Sequence, residues 1–218
     1  KRIVGPIKAL RNHLQAVAEN YEVIFVDDGS KDGTSAVIQG AISDWPHARF
    51  LKLEKNVGKG GAIQFGVMAA TKKNLCFMDA DLSTDLEMLE RLFKVLSENT
   101  PVVIGSRDIK GAEVTVHQNF FRENTAKLFN LWIQLWVLPG IWDTQCGFKL
   151  FRTAVAKQVF SDLQEKRFGF DIEILYRVKK LGYRITEVPV KWANVLDSRV
   201  NPVRDGIAMA LQVVKIRW

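Results

Sequence analysis

Two carboxylates directly follow a short apolar run near the middle of the chain. The run Leu75–Met78 is followed by Asp79 and, one residue later, by Asp81. Such a run is typical of a strand buried on both faces, and open α/β sheets bind ligands beyond the carboxyl ends of their strands. Mg²⁺ commonly binds one or two carboxylates together with substrate phosphates. The pair is therefore a candidate site for Mg²⁺ or Mn²⁺, and the alternative is that Asp81, Ser83 or Thr84 caps the following helix.

A second carboxylate pair and a glycine-rich loop come earlier in the chain. Asp27 and Asp28 follow the predicted strand 22–26, and carboxylates at a strand end can accept hydrogen bonds from a ribose hydroxyl or a base N–H. The loop 56–62 (NVGKGGA) opens a predicted helix, so its backbone N–H groups and Lys59 could bind an anion. The loop matches neither Walker A nor G-x-G-x-x-G, and a tight turn explains it equally well.

The first half of the chain alternates between predicted strands and helices. This order, with short connections, predicts a parallel sheet covered by helices. Because the carboxyl ends of parallel strands meet at one edge, we expect the two carboxylate pairs and Arg107 on one rim of the sheet. The predicted strands are 22–26, 50–53, 75–78 and 102–105, and the predicted helices are 3–20, 34–43, 85–97 and one that follows the glycine-rich loop and ends at 70.

The second half of the chain has a different pattern. Residues 119–138 predict a helix with a broad apolar face, and Trp132 and Trp136 lie near its end. This face fits either core packing or an interfacial helix beside a lipid groove. Further helices are predicted over 155–160 and 172–181, and a strand over 185–192. The basic final helix, 202–218, is either a solvated surface helix or a segment on an anionic membrane.

The composition is that of a globular protein with a basic surface. The 218 residues are 47% hydrophobic and carry a formal net charge of +7, which suits an anionic ligand, an anionic membrane or nucleic acid. No apolar run is long enough to span a bilayer, and no signal peptide is visible. Two cysteines are too few for a disulfide framework, so a reducing compartment is expected.

Six short motifs follow one another along the chain. They are VDDGSKDGT (26–34), NVGKGGA (56–62), FMDADLS (77–83), GSR (105–107), DTQCGFKLF (143–151) and RFGFDIEILY (167–176). In this order they resemble the motifs of family 2 glycosyltransferases. Within that family the likeness is to the dolichyl-phosphate and polyprenyl-phosphate hexose synthases, and the fifth and sixth motifs resemble the dolichyl-phosphate β-glucosyltransferase branch.

The resemblance implies an α/β fold of the GT-A (Rossmann-like) nucleotide-diphospho-sugar transferase type, with a mostly parallel central sheet flanked by helices. It implies one catalytic domain over 1–218, with a nucleotide-sugar half (1–110) and an acceptor half (111–218). In that family a first strand ending in a Pro-Ala-Tyr-Asn-Glu-like segment precedes what Lys1-Arg2-Ile3 resembles. We therefore expect this central strand to be missing from the sequence, together with the membrane helices that some members carry after the catalytic domain.

The resemblance also implies a reaction, namely inverting transfer of a hexose onto dolichyl or polyprenyl phosphate at the cytoplasmic face of a membrane. That membrane would be the endoplasmic reticulum in a eukaryote and the plasma membrane in a prokaryote. UDP-glucose is the expected donor and GDP-mannose the alternative. The implied residues are Asp79 and Asp81 for the metal, Asp81, Asp143 and Arg107 for catalysis, and Asp27, Asp28, Lys59, Asp79, Arg122, Gln145 and Arg199 for substrate binding.

Two positions depart from the family pattern, and one role stays open. Asp197-Ser198-Arg199 stands where a Gly-Ser-Lys acceptor loop is expected, and Ser83 stands where the mannose branch has a metal-side Gln. Arg199 keeps the positive charge of the lysine. Asp143 could orient an arginine or act as a base.

Three other functions are compatible with parts of the sequence. A sugar-nucleotide-binding module without activity would keep the same motifs. A phosphohydrolase could use Asp79 as a nucleophile, although its Asp-x-Asp motif would normally follow the first strand. The charge of +7 would suit nucleic acid, but the chain contains no recognised nucleic-acid motif.

Overall fold

The computed structural model describes residues 3–116 and 131–193 as alternating helices and strands. The helices are α1 (Val4–Val17), α2 (Thr34–Ile42), α3 (Lys59–Ala69), α4 (Met88–Val95), α5 (131–136 in its described part), α6 (Thr153–Phe160) and α7 (Phe170–Lys180). The strands are β1 (Val23–Asp27), β2 (Ala48–Lys52), β3 (Asn74–Met78), β4 (Val102–Ser106), β5 (Glu113–Val116), β6 (Phe148–Arg152), β7 (Ile185–Pro189) and β8 (Lys191–Ala193).

The main sheet has four strands in the order β3-β6-β4-β7. β6 is antiparallel to both of its neighbours, and β4 and β7 are parallel. Since β3 and β4 both run opposite to β6, their carboxyl ends lie at the same edge. β1 and β2 form a separate parallel pair, and β5 pairs with β8. The sheet is therefore mixed, because β6, which the sequence pattern did not predict, runs through its middle.

A large cavity separates β1 from the main sheet. Its volume is about 1080 Å³, and it is lined by β1 and β3 together with parts of α1, α3 and α4. In the described residues β1 pairs with β2 and β3 pairs with β6, so neither strand is paired across the cavity.

The core lies on both faces of the main sheet. Side chains alternate between the faces of a strand, and in β4 Val102 and Ile104 join one buried cluster while Val103 joins the other. The first cluster is covered by α3, α5, α6 and α7, and the second by α1, α2 and α4. In α1 the buried residues Ile7, Leu10 and Leu14 repeat at the helical spacing that predicted this helix.

Several predicted boundaries differ by two or three residues, and two of them were wrong for identifiable local reasons. Helix α4 begins at Met88 rather than at Asp85, because the Asp85 carboxylate accepts the N–H of Glu87 and holds a turn there. Asp81, Ser83 and Thr84 therefore do not cap α4, whose first turn has no side-chain cap. The predicted strand 185–192 is two strands, because the chain leaves β4 after Pro189 and pairs with β5 from Lys191 onward.

Candidate functional site

Asp79 is held at the carboxyl end of β3 by a close backbone contact with Gly147. Its N–H donates to the Gly147 carbonyl over 3.0 Å. The next turn contains Leu82, whose φ of 52° is in the left-handed region that only a constrained turn imposes on a leucine. The exposed Asp81 carboxylate accepts hydrogen bonds from the Ser83 N–H at 3.0 Å and hydroxyl at 2.7 Å. The turn therefore presents both carboxylates beyond the strand end.

Lys59 reaches Asp79 from the glycine-rich loop. Its Nζ lies 2.6 Å from Oδ1 of Asp79, and both side chains are partly exposed. Burial by itself would lower the pKa of Lys59, but the carboxylates of Asp79 and Asp171 raise that pKa above its ordinary value. The lysine is therefore a charged group at the rim.

Asp27 and Asp28 bind the backbone and side chains of the loops around them. The Asp27 carboxylate is buried and accepts hydrogen bonds from the Ser30 N–H and the Ser35 hydroxyl. Burial opposes ionisation of Asp27, but these hydrogen bonds hold its pKa below the ordinary value. Asp28 accepts the N–H groups of Val57 and Gly58 at 2.8 and 2.9 Å. Asp28 thereby fixes the loop that ends at Lys59.

Arg107 and Asp143 form a bidentate ion pair beside β4. Arg107 donates through Nε to Oδ2 of Asp143 at 2.7 Å and through a terminal nitrogen to Oδ1 at 2.9 Å. The fully buried carboxylate also accepts the N–H groups of Arg107, Gln145 and Cys146. Burial opposes ionisation, but the guanidinium and these hydrogen bonds hold the pKa of Asp143 below its usual range. The guanidinium carbon lies 5.2 Å from the centre of the Trp192 ring.

A continuous series of contacts connects the two ends of this rim. Asp28 holds the loop before Lys59, Lys59 contacts Asp79, and Asp79 bonds Gly147. Gly147 follows Cys146, whose N–H donates to Asp143, and Asp143 holds Arg107. Asp28, Asp79 and Arg107, which the sequence assigned to one edge, are therefore linked through a few intervening residues in the structure.

Some site residues fall outside these contacts, and others were missed. Arg122 and Arg199 lie outside the described residues, as do the final helix 202–218 and the first part of the predicted helix 119–138. Lys149, Asp171 and Glu187 are polar residues near the rim for which the sequence pattern predicted no role. Lys149 lies in the motif DTQCGFKLF and Asp171 in the motif RFGFDIEILY. A charged residue between apolar residues in each motif was the sequence signal that could have identified them. Glu187 accepts the N–H groups of Trp142 and Asp143 at 2.9 Å each.

The carboxylates of Asp79 and Asp81 fit a divalent cation that also binds a ligand. Among residues 3–116 and 131–193, no group of three or more His, Cys, Asp or Glu side chains could hold a metal ion by itself. Mg²⁺ keeps several waters and often uses only one or two carboxylates plus substrate phosphates. Asp79 and Asp81 offer carboxylate oxygens on an open turn, and the Lys59 ammonium already contacts Asp79. This arrangement agrees with such a mode of binding.

Gly147 must be glycine for Asp79 to keep its position. A Cβ built on Gly147 would lie 2.7 Å from Oδ1 of Asp79 and closer still to Oδ2. We predict that Gly147→Ala displaces the carboxylate and weakens Mn²⁺ binding by about tenfold or more, as expected for a misplaced ligand. Mn²⁺ titration by electron paramagnetic resonance measures this effect.

A matched glycine variant separates this effect from a general effect on folding. Nothing lies within 4 Å of a Cβ built on Gly40, in α2, so Gly40→Ala should bind Mn²⁺ as the parent chain does. Unchanged Mn²⁺ affinity in Gly147→Ala would contradict the role given to the contact between Gly147 and Asp79.

The fold is that of GT-A glycosyltransferases. Glucosyl-3-phosphoglycerate synthase from Mycobacterium tuberculosis superposes with a TM-score of 0.68 at 18% identity, covering 99% of this chain and 74% of that chain. A mannosyltransferase from Pyrobaculum calidifontis, solved with GDP-mannose and Mn²⁺, superposes with a TM-score of 0.58 at 17% identity, covering 90% of this chain and 55% of that chain. At such identities the likeness establishes the fold.

The sequence profile described as "Glycosyl transferase family 2" matches residues 6–160, and the chain belongs to this family. Dolichyl-phosphate beta-glucosyltransferase from Dictyostelium discoideum is 36% identical over 91% of this chain and 63% of its own length. The human protein of that name is 36% identical over 92% of this chain and 64% of its own length. Glycosyltransferase AglD from Haloferax volcanii is 29% identical over 92% of this chain and 32% of its own length. The chain thus spans slightly under two thirds of the length of these two dolichyl-phosphate beta-glucosyltransferases.

Proposed function

We propose that this chain transfers glucose from UDP-glucose onto a dolichyl or polyprenyl phosphate, with inversion at the anomeric carbon. The observation that carries the proposal is the series of contacts that joins Asp79, in a turn suited to a cation, to Arg107, which is suited to a phosphate. The relatives named dolichyl-phosphate beta-glucosyltransferase support this donor sugar and acceptor. Transfer of mannose from GDP-mannose is the second candidate, because the Pyrobaculum calidifontis enzyme of the same fold was solved with that donor.

The donor would bind at the end of the rim formed by β1, α3 and β3. Asp79 and Asp81 would hold Mg²⁺ or Mn²⁺, which supplies charge neutralisation that makes the nucleoside diphosphate a better leaving group. Lys59 would contact the diphosphate from the start of α3, where backbone N–H groups also favour an anion. Asp28 would hold this loop in place, and Asp27 and Asp28 remain predictions as ligands of the base or ribose.

The acceptor would bind at the other end of the rim, beside Arg107. A phosphate monoester has a second pKa of about 6, so much of it is a dianion near neutral pH and attacks without strong base catalysis. What the site must supply is positive charge that holds this dianion close to the diphosphate. Arg107 fits this role because a guanidinium binds phosphate oxygens in a bidentate manner. Arg122 and Arg199 are proposed for the same purpose, and Gln145 for contact with substrate.

Asp143 would orient Arg107 rather than act as a base. Both of its oxygens already accept hydrogen bonds from Arg107, and its low pKa leaves it a poor acceptor for a further proton. The bidentate contact fixes the plane of the guanidinium. The remaining N–H groups on the two terminal nitrogens of Arg107 would then be available to a phosphate.

An exposed apolar surface supports a location at a membrane. Leu135 of α5 is 76% exposed, and Trp136 and Trp142 are about half exposed. Tryptophan favours the boundary between lipid and water, and Trp142 directly precedes Asp143. In the part of the chain that the structure covers, no helix is long and apolar enough to cross a bilayer. We propose that this surface lies against the cytoplasmic face of the membrane that holds the acceptor, which is the endoplasmic reticulum in a eukaryote and the plasma membrane in a prokaryote.

The proposal is tested by measuring nucleotide release with a short polyprenyl phosphate and Mn²⁺. We expect UDP release from UDP-glucose only when both are present, together with a glucosylated lipid phosphate. The matched control is the corresponding polyprenol, which lacks the phosphate. Release from GDP-mannose alone would favour the second candidate, and equal release without acceptor would indicate a hydrolase. Nucleotide binding without release under any condition would indicate an inactive module.

A further inference from the structure

A buried ion pair beneath the rim has no role in the proposed reaction. Lys149 is completely buried in β6, and its Nζ donates to Oδ1 of Asp171 and to the Cys146 carbonyl, both at 2.6 Å. Asp171, near the start of α7, is also buried. Burying two charges costs more free energy than a well-packed apolar pair of similar size. Such a pair therefore needs an explanation other than stability.

The pair lies on the same face of the sheet as Asp79. In the register of β3 and β6, Phe77 is opposite Lys149, and Asp79 continues two residues later beside Gly147. Because side chains two residues apart share a face, Phe77 and Asp79 both point toward the side that carries Lys149. The Lys149 ammonium lies 5.6 Å from the centre of the Phe77 ring.

Lys59 is brought to the same place by close packing between α3 and α7. A Cβ on Gly60 would lie 2.6 Å from the Cβ of Phe170, so only glycine permits this approach. The Gly61 N–H donates to the Lys166 carbonyl at 3.0 Å, and the Lys59 ammonium lies 6.0 Å from the centre of the Phe170 ring. Asp171 is the next residue in the chain. Lys59 therefore contacts Asp79, and Asp171 is a second carboxylate close enough to raise the pKa of Lys59.

We propose that Lys59 competes with the divalent cation for Asp79, and that Asp171, held by Lys149, stabilises the Lys59 ammonium once the cation has bound. The inference deepens the proposed function, since it rests on Asp79 as a cation ligand. Lys149 and Asp171 are positioning residues in this arrangement, and neither touches substrate.

The physical reason is that an ammonium group and a divalent cation repel each other at one carboxylate oxygen. A cation can bind Oδ1 of Asp79 only if the Lys59 ammonium moves away from that oxygen and gives up most of its attraction to Asp79. A partly buried ammonium without an anionic partner is costly, so the loss must be offset nearby. Asp171 offers that offset, and the Lys149 ammonium keeps Asp171 in position with its second oxygen uncommitted to Lys149.

The test is a double-mutant cycle on the affinity for Mn²⁺ in the absence of nucleotide, measured by electron paramagnetic resonance. The proteins are the parent chain, Lys59→Met, Asp171→Asn and the double variant. We expect Lys59→Met to lower the Kd for Mn²⁺ about fivefold and Asp171→Asn to raise it about fivefold, from the usual strength of partly exposed ion pairs. In the Lys59→Met background, Asp171→Asn should change the Kd less than about twofold.

Two controls separate this mechanism from simpler effects. Lys55→Met removes an exposed positive charge directly before the glycine-rich loop and should leave the Kd nearly unchanged, because exposed charges are screened. Asp171→Asn leaves the buried Lys149 ammonium without its counter-charge, and this could prevent folding. In that case the double variant Lys149→Met, Asp171→Asn takes the place of Asp171→Asn in the cycle. It should also raise the Kd for Mn²⁺.

The possible outcomes distinguish this inference from the proposed function. If Lys59→Met weakens Mn²⁺ binding, or changes it no more than Lys55→Met does, the competition is wrong while the cation site stands. Equal effects of Asp171→Asn in both backgrounds would show that Asp171 does not act through Lys59. If the parent chain binds no Mn²⁺ even with UDP present, the cation site itself is wrong and the inference is lost with it.

Discussion

Replacing Asp79 with Asn should lower the rate of sugar transfer by about 10²- to 10³-fold, since a catalytic cation contributes several kcal/mol to stabilising the transition state. The amide that replaces the carboxylate keeps its size but loses the charge that draws both Lys59 and a cation. Asp81→Asn should act in the same direction. The loss should appear mainly in kcat when UDP-glucose is saturating, and steady-state kinetics with increasing Mn²⁺ measures it.

A nearby carboxylate provides the control for this prediction. Asp85 is exposed, and its carboxylate accepts the N–H of Glu87. Asp85→Asn should therefore transfer sugar at close to the parent rate. If Asp79→Asn kept full activity with an unchanged requirement for Mn²⁺, the assignment of the metal to this turn would be wrong.

Removing the Asp143 carboxylate should destabilise the folded chain by about 3–5 kcal/mol, which is the usual effect of breaking a buried ion pair. Asp143→Ala leaves the Arg107 guanidinium and three N–H groups without their acceptor. The free energy of unfolding from urea titration measures the loss. The variant should also bind acceptor phosphate poorly, because Arg107 would no longer be held in one orientation.

The same carboxylate predicts a pH dependence of stability. Its pKa is lowered in the folded state, so the unfolded chain binds more protons in acid and the carboxylate stabilises the fold above its unfolded pKa of about 3.9. This contribution is lost as the pH falls below about 4 and through the folded pKa. The difference in unfolding free energy between the parent and Asp143→Ala should therefore be constant near neutral pH and shrink in acid.

An exposed ion pair of the same chemical type is the matched control. Arg11 and Asp44 also form a contact of 2.7 Å, but the Asp44 side chain is 73% exposed. Asp44→Ala should have little effect on stability, because water solvates both charges when the pair is broken. Similar losses in the two variants would mean that burial does not decide the importance of the pair between Arg107 and Asp143.

The sequence was sufficient to predict the elements that end in functional residues. Apolar runs that stop at Asp27, Asp79 and Arg107 are local patterns, and strands β1, β3 and β4 form where these runs occur. The helical spacing of apolar residues in α1 is equally local. Because the polar residue lies at the end of its own strand, its place on the rim follows from the direction of that strand.

Strand β6 could not be predicted in the same way. Its second residue is Lys149, and a lysine within a short apolar segment argues against burial on both faces. The lysine is tolerated there because Asp171, on a helix 22 residues later, supplies its counter-charge. That compensation exists only once β6 lies between β3 and β4 and α7 covers the sheet.

What the chain determined by itself was therefore the identity of the reactive groups and the element that carries each of them. Only the tertiary structure decided which groups are partners, namely Lys59 with Asp79, Arg107 with Asp143, and Lys149 with Asp171. Each of these pairs joins residues 20 to 36 positions apart. Such contacts depend on which strands and helices become neighbours, and local sequence patterns carry no information about that choice.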